Sequence, residues 1–176
     1  VDEVIKEGDD IIFDIDITTN RPDAMNVRGI ARELSAITGV DLETFDVNYH
    51  EQTKPAREFA GVSIEDSEAC HRFCAKVIKN AQNGPTPEWM ARRLEASGMR
   101  SINLLVDITN FVLLELGHPL HGYDLNLVPN GKLVVRRAFD KEKLALIDGS
   151  ERELDTEDLV IADTKNAVGL AGVMGG

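Results

Sequence analysis

Residues 100–125 read RSINLLVDITNFVLLELGHPLHGYDL, and this stretch carries the strongest structural signal in the chain. Its apolar side chains recur at the three- and four-residue spacing of an α-helix, and Gly117 is suited to end that helix. The apolar positions are Leu105, Ile108, Val112 and Leu116. The spacing therefore predicts a helix that stops just before a polar loop.

Three polar residues, Asp107, Thr109 and Asn110, interrupt this apolar helix. Such residues are poor in helix interiors, so they either face solvent, cap an adjoining element or line a polar pocket. Spacing alone does not decide between these alternatives. A turn through Pro119 could bring His121 towards Thr109 and Asn110, which predicts a polar pocket around these three side chains.

The loop after the helix raises the question of a metal site. His118, His121 and Asp124 match no known ligand signature, and a loop histidine is more often a hydrogen-bonding residue. Cys70 and Cys74 are the only cysteines, so they do not make up a zinc site and are expected to be reduced thiols of a cytosolic protein. We expect no metal.

The rest of the chain mixes strands with a few helices. The pattern predicts helices from Asn26 to Gly39 and after Thr86, which is expected to cap its helix with Pro87 at the first helical position. An Asp148-Gly149 turn predicts a hairpin. Strands are predicted over 10–18, 61–66, 70–79, 132–138, 158–163 and 168–176, with a linker over 40–60. This is the pattern of an α+β protein with mixed or antiparallel sheets and a few packed helices.

Composition limits the function. The 176 residues carry a net charge of −12, which argues against a broad phosphate-binding face but not against contact with one end of an RNA. No apolar run has membrane-spanning length, and the acidic residues 1–10 lack the apolar region of a signal peptide. The glycine-rich end, GLAGVMGG, lacks a Walker A pattern, so its glycines allow close approach of either backbone or ligand. This end and Val1 suggest a piece of a longer protein.

Four stretches, in the same order along the chain, resemble one family. DIDITTNRPDAMNVRGIARELSAITG resembles the end of the first domain of bacterial phenylalanyl-tRNA synthetase beta subunits. RSINLLVDITNFVLLELGHPLHGYDL, IDGSERELDTEDLVIAD and VGLAGVMGG resemble the B3/B4 domain of the same subunits. The resemblance implies that residues 1–46 form the C-terminal part of a B1-like domain with the start of a linker. Residues 47–176 would form a B3/B4-like domain, truncated at its C-terminal end.

This resemblance also implies a function. The family enzyme is a cytoplasmic alpha-beta heterotetramer that joins phenylalanine to tRNA(Phe) with ATP and Mg²⁺, neither of which is expected to bind this segment. The B3/B4 domain hydrolyses mischarged Tyr-tRNA(Phe). The alternatives are a purely structural or tRNA-guiding module of the beta subunit, or a free-standing hydrolase or amino-acid-binding protein with the same fold.

By position, the implied editing pocket contains Arg100, Thr109, Asn110, His121 and Gly172. His121 would position the hydrolytic water or act as a general base, and Arg100 would meet the terminal adenosine of the tRNA. Thr109 and Asn110 would hold the amino-acid moiety, and Gly172 would let the main chain approach it. The chain departs from the family at His118, where glutamine is common, and in reading HGYD rather than HAFD at 121–124. The family's tyrosine-recognising glutamate lies after the segment matching GVMGG, so an incomplete pocket is expected.

Overall fold

A computed structural model describes residues 1–8, 10–45, 47–51 and 54–176. The chain divides into two compact units, each built from two segments: 1–48 with 82–122, and 49–81 with 123–176. The division predicted from the resemblance, at residues 46 and 47, follows chain order and stays a prediction. Its boundary residue Asp46 lies outside the described residues, as do two further positions of the predicted linker, 52 and 53.

In its described residues, the first unit combines a hairpin with three α-helices and a short 3-10 helix, Pro22–Ala24. Strands β1 (Glu3–Glu7) and β2 (Asp10–Asp14) pair antiparallel. The helices are α1 (Val27–Thr38), α2 (Glu88–Ala96) and α3 (Leu104–Leu116). The strand predicted over 10–18 is therefore confirmed only for its first five residues. The alternating pattern suggested a half-buried strand, yet Ile11 and Phe13 are 55% and 58% exposed, and among the described residues β2 pairs with β1 alone.

Helix α1 shows why its ends were predictable. The Asn26 side chain accepts a hydrogen bond from the Gly29 amide at 2.8 Å, which satisfies one of the free N–H groups of the first turn. Gly39 adopts a left-handed conformation with φ of 73°, which favours glycine and ends the helix. Both end signals are local, so the prediction from Asn26 to Gly39 is confirmed.

Helix α2 corrects the predicted cap. Pro87, rather than Thr86, is the N-cap residue, and it contributes no side-chain hydrogen bond. The Thr86 hydroxyl instead donates to the Asp107 carboxylate on α3. The ring of Trp89 meets that of Phe111 edge-on at a centroid distance of 5.3 Å, so α2 packs against α3. The Thr86 hydroxyl, which the sequence predicted to cap α2, is therefore hydrogen-bonded to a residue 21 positions away.

Helix α3 confirms the prediction from the opening stretch. Its N-cap is Asn103, whose side chain accepts from the Val106 amide at 3.2 Å, and Gly117 ends it with φ of 70°. A methyl group added at Gly117 would lie 2.8 Å from the side-chain nitrogen of Asn26. The C-terminal end of α3 therefore lies directly against the N-cap of α1.

The second unit holds the larger sheet. Its strands are β3 (Gly61–Ile64), β4 (Lys132–Arg137), β5 (Glu142–Ala145), β6 (Glu151–Leu154), β7 (Leu159–Ala162), β8 (Ala167–Leu170) and β9 (Met174–Gly175). Five form a sheet in the order β3-β4-β7-β8-β9, in which β3 runs parallel to β4 and the other pairs are antiparallel. Strands β5 and β6 form the hairpin predicted at Asp148-Gly149. The predicted α+β class with mixed and antiparallel sheets is confirmed.

Two strand predictions are wrong. Residues 70–79 form no strand, although their pattern resembles one, because a strand requires a hydrogen-bonding partner that the pattern does not reveal. Residues 168–176 are not one strand. They contain most of β8 and all of β9, which are paired with each other across a turn at 171–173.

A buried ion pair in this unit joins Arg136 of β4 to Glu142 of β5. Both terminal nitrogens of Arg136 donate to the Glu142 carboxylate, at 2.8 and 2.7 Å. The same carboxylate accepts from the backbone amides of Phe139 and Ala167, each at 2.9 Å. The two charged side chains are only 9% and 11% exposed. One carboxylate thus joins β4, the turn after it, β5 and β8.

Candidate functional site

Thr109 and Asn110 lie next to each other in the middle of α3, and both are partly buried. The Thr109 hydroxyl donates to the carbonyl of Val106 at 2.7 Å, so its proton is already used within the helix. It can offer a ligand only its lone pairs. Successive helical residues point about 100° apart, so the two polar side chains present neighbouring but distinct directions.

Asp107 is the polar residue of α3 whose role sequence reasoning left open. Its side chain is fully buried, and its carboxylate accepts from the hydroxyls of Thr86 and Ser101 and from the amide of Ile102. Burial raises its pKa, but the hydrogen bonds outweigh this effect and hold the pKa below its usual range. Asp107 therefore joins α3 to the segments on both sides of α2.

Arg100 and His121 flank opposite ends of α3. Arg100 is exposed and lies four positions before the helix begins, whereas His121 is exposed and lies five positions after it ends. The 13 residues of the helix span about 20 Å. Their meeting in one pocket stays a prediction.

The imidazole of His121 has a shifted protonation equilibrium. Although the residue as a whole is exposed, part of its ring is shielded from water, which lowers its pKa below the usual value of 6.5 because removal from water disfavours the charged form. The neutral form, which can accept a proton, therefore predominates near pH 7.

Gly172 belongs to the second unit, in the turn between β8 and β9. Its φ is 74°, and a methyl group built on it would meet no atom within 4 Å. Its backbone conformation, rather than a crowded neighbour, thus calls for glycine. The opposite holds at Gly176, where a methyl group would lie 2.8 Å from a Leu144 methyl carbon and 2.9 Å from the Ala145 carbonyl oxygen.

Tyr123, in the same loop as His121, is a residue that sequence reasoning missed. A methyl group on Gly169 would lie 3.4 Å from the Tyr123 hydroxyl, an ordinary contact distance, so the phenol lies beside β8. Burial raises the pKa of Tyr123 above its usual value of 10. The aromatic residue in HGYD was the available signal, but its neighbour is more than forty positions away.

Residues 118–126, which we call the histidine loop, contain a turn that is closed by an ordinary hydrogen bond. Asp124 accepts from the Asn126 backbone amide at 2.9 Å, which caps a turn, and His118 is exposed. Within the described ranges, no three His, Cys, Asp or Glu side chains are grouped so that they could hold a metal ion. Cys70 and Cys74 are free thiols. No helix of the described part of the chain is both long and apolar enough to span a membrane.

The mixed sheet, the separate helical unit and the polar positions of α3 define an α+β protein with a candidate site on a helix and its flanking loops. The model of the B3/4 domain family matches residues 69–176, which is more than half of the chain and includes α2, α3 and the histidine loop. The chain belongs to the B3/4 domain family.

Several proteins that are similar to this chain are phenylalanine–tRNA ligase beta subunits. The phenylalanine–tRNA ligase beta subunits of Geobacter metallireducens and Syntrophotalea carbinolica are 48% and 45% identical to this chain over 167 residues, 95% of its length. That of Carboxydothermus hydrogenoformans is 41% identical over 174 residues, or 99%. The chain spans about a fifth of the length of these relatives, 21–22%.

Proposed function

We propose that this chain is part of a phenylalanine–tRNA ligase beta subunit and carries residues of an editing site that hydrolyses mischarged Tyr-tRNA(Phe). The observation that carries this proposal is the match to the B3/4 domain over 69–176. The identity of 41–48% to beta subunits across nearly the whole chain supports it. The candidate residues on α3 and in the histidine loop lie within the matched range.

The proposed reaction is hydrolysis of an ester. Water attacks the carbonyl carbon that joins tyrosine to the terminal ribose, the bond to the ribose oxygen breaks, and free tyrosine and tRNA leave. His121 either orients the attacking water or accepts its proton. The lowered pKa of the imidazole supports both roles, because the neutral ring offers a lone pair near pH 7.

Thr109 and Asn110 are proposed to hold the amino-acid moiety. The Thr109 hydroxyl already donates to Val106, so its remaining lone pairs suit a donor such as the ammonium group of an aminoacyl ester. The Asn110 amide can both donate and accept. Arg100 is exposed and always charged, which suits the phosphate of the terminal adenosine. Gly172 is proposed to let the main chain approach the ligand. No atom lies within 4 Å of the position that a methyl group on Gly172 would occupy, so there is space beside it.

A second site is needed because tyrosine is phenylalanine with one added hydroxyl. An apolar synthetic site rejects such an added hydroxyl only about 100-fold. An editing site can instead select for the hydroxyl, since buried polar groups that pair with it are left unsatisfied by phenylalanine. Phe-tRNA(Phe) is thereby spared.

The larger assembly is part of the same proposal. The beta subunit would act with an alpha subunit in the cytoplasm, as a heterotetramer that charges tRNA(Phe) with phenylalanine. That reaction requires ATP and Mg²⁺, and no residue of this chain is assigned to either. The 3′ end of tRNA(Phe) is the partner proposed for this chain itself.

The test is accumulation of mischarged tRNA by the assembled enzyme. The enzyme is incubated with tyrosine, ATP and tRNA(Phe), and Tyr-tRNA(Phe) is measured over time. We expect little product with the unchanged protein and steady accumulation with His121→Ala or Asn110→Ala. His118→Ala, a second histidine of the same loop, is the matched control and should behave like the unchanged protein. Equal and low accumulation in all four would contradict editing here and favour a structural role.

A further inference from the structure

We propose that Asp107 is a positioning residue for the editing reaction, because it fixes the short loop that presents Arg100. This inference rests on the proposed function, since it concerns the placement of a side chain proposed to meet the tRNA end. Nothing in the sequence motif alone assigns Asp107 a role. The proposal comes from the donors that converge on its carboxylate.

Asp107 has no exposed surface, yet three donors from outside α3 reach it. The Ser101 hydroxyl lies 2.5 Å from one carboxylate oxygen and the Ile102 amide 2.9 Å from the other. The Thr86 hydroxyl, from the segment before α2, also donates to it. Hydrogen bonds to a buried charged group are stronger than neutral ones, so this arrangement holds its partners firmly.

Arg100 lies between two fixed backbone positions. On one side, the Met99 amide donates to the Leu94 carbonyl at 2.9 Å, at the end of α2. On the other side, the Ile102 amide donates to Asp107. Arg100 is two residues from this second anchor, so its Cα lies within about 8 Å of the Ile102 Cα.

The exposed guanidinium is thus carried by a backbone that is already ordered. A ligand that binds a preorganised group loses less conformational entropy than one that must order a loop. Asp107 would therefore affect binding of the tRNA end without touching it. Loss of the hydrogen bonds to Asp107 should therefore weaken binding of the tRNA end rather than slow the chemical step.

The first experiment measures the loop directly in the full-length protein. Asp107→Asn keeps the shape of the side chain but removes the charge and one of its two acceptor oxygens. Trypsin cleavage after Arg100, followed by mass spectrometry, reports opening of this loop, and we expect it to become about tenfold faster. Val160→Ala, a truncation in the buried core of the other unit, is the control for general destabilisation. It should leave cleavage after Arg100 within about twofold of the unchanged protein.

If Asp107→Asn does not fold, Ser101→Ala removes a single donor and keeps the carboxylate. We then expect about a threefold increase in cleavage after Arg100, relative to cleavage of a short peptide with the same substitution, because Ser101 adjoins the cleaved bond. An unchanged cleavage rate in a folded Asp107→Asn or Ser101→Ala variant overturns the proposal. This measurement needs no enzymatic activity, so it decides whether Asp107 holds the loop in place even if the proposed function is wrong.

The second experiment tests the functional link in the assembled enzyme. We expect Asp107→Asn to raise the KM for hydrolysis of Tyr-tRNA(Phe) about tenfold and to change kcat less than twofold. Arg100→Ala should act in the same direction, and the double variant should be no worse than the poorer single variant. Additive effects would overturn the positioning role, because they would show that Asp107 acts independently of Arg100.

Discussion

Replacing Glu142 with Gln is expected to destabilise the second unit strongly. The change keeps the size of the side chain but removes the negative charge that faces Arg136 at 2.7 Å. Arg136 would remain buried without a counter-charge, and one of the backbone donors at Phe139 and Ala167 would face an amide nitrogen. Breaking a buried pair in this way costs more than the pair itself contributes.

The magnitude follows from the protonation equilibrium. Pairing with Arg136, helped by backbone donors and opposed by burial, lowers the pKa of Glu142 from 4.5 to about 2. Each pH unit between the two values is worth about 1.4 kcal/mol, so the ionised carboxylate contributes roughly 3 kcal/mol to folding. This contribution is complete above pH 4.5, where the unfolded carboxyl is also ionised. It is lost as the pH falls towards 2.

The assay is urea unfolding of both proteins at several pH values. At pH 7 we expect Glu142→Gln to lower the free energy of unfolding by about 3 kcal/mol, and the difference should narrow as the pH falls from 4.5 towards 2. Glu151→Gln, which removes the exposed partner of Lys143 in the same hairpin, should have little effect. A loss below about 1 kcal/mol at pH 7, or a gap independent of pH, would refute the reasoning.

Three further substitutions or titrations have defined outcomes. Gly29→Ala should destabilise by about 2–3 kcal/mol in thermal unfolding, because the added methyl would lie 2.1 Å from the Asp23 carbonyl oxygen; a gain in stability would contradict this packing. Gly172→Ala should cost about 1–2 kcal/mol from its positive φ alone, and no measurable cost would contradict that conformation. If His121 acts as a base, the pH profile of Tyr-tRNA(Phe) hydrolysis should fall only below pH 6.5, whereas a midpoint above 6.5 would contradict the lowered pKa.

Local signals made part of this fold predictable. Helix α1 begins at an asparagine that caps its own first turn and ends at a left-handed glycine, and the Asp148-Gly149 turn joins two paired strands. These features depend on residues within a few positions of each other. A single sequence contains all that they need.

Features that depend on distant partners were not predictable. Thr86 was expected to cap α2, but a buried carboxylate 21 positions away accepts its proton. Residues 70–79 have the composition of a strand and pair with none, and the alternating pattern of β2 did not reveal that its partner would be another exposed strand. Pairing and burial are decided by the whole fold rather than by the local pattern.

The candidate site shows the same division. The polar interruption of α3 singled out Asp107, Thr109 and Asn110, but only the structure shows that Asp107 is fully buried whereas the other two are partly buried. Tyr123 was missed because its neighbour, Gly169, lies on a strand far along the chain. The sequence identifies polar residues in unusual places, and the fold assigns their contacts.

The most direct test of the editing proposal is the rate at which the assembled enzyme, without ATP, hydrolyses preformed Tyr-tRNA(Phe) and Phe-tRNA(Phe). We predict rapid loss of tyrosine from the first, little loss of phenylalanine from the second, and removal of this difference by His121→Ala. Equal, slow loss of both amino acids in the unchanged enzyme would contradict the assignment of an editing site to this chain.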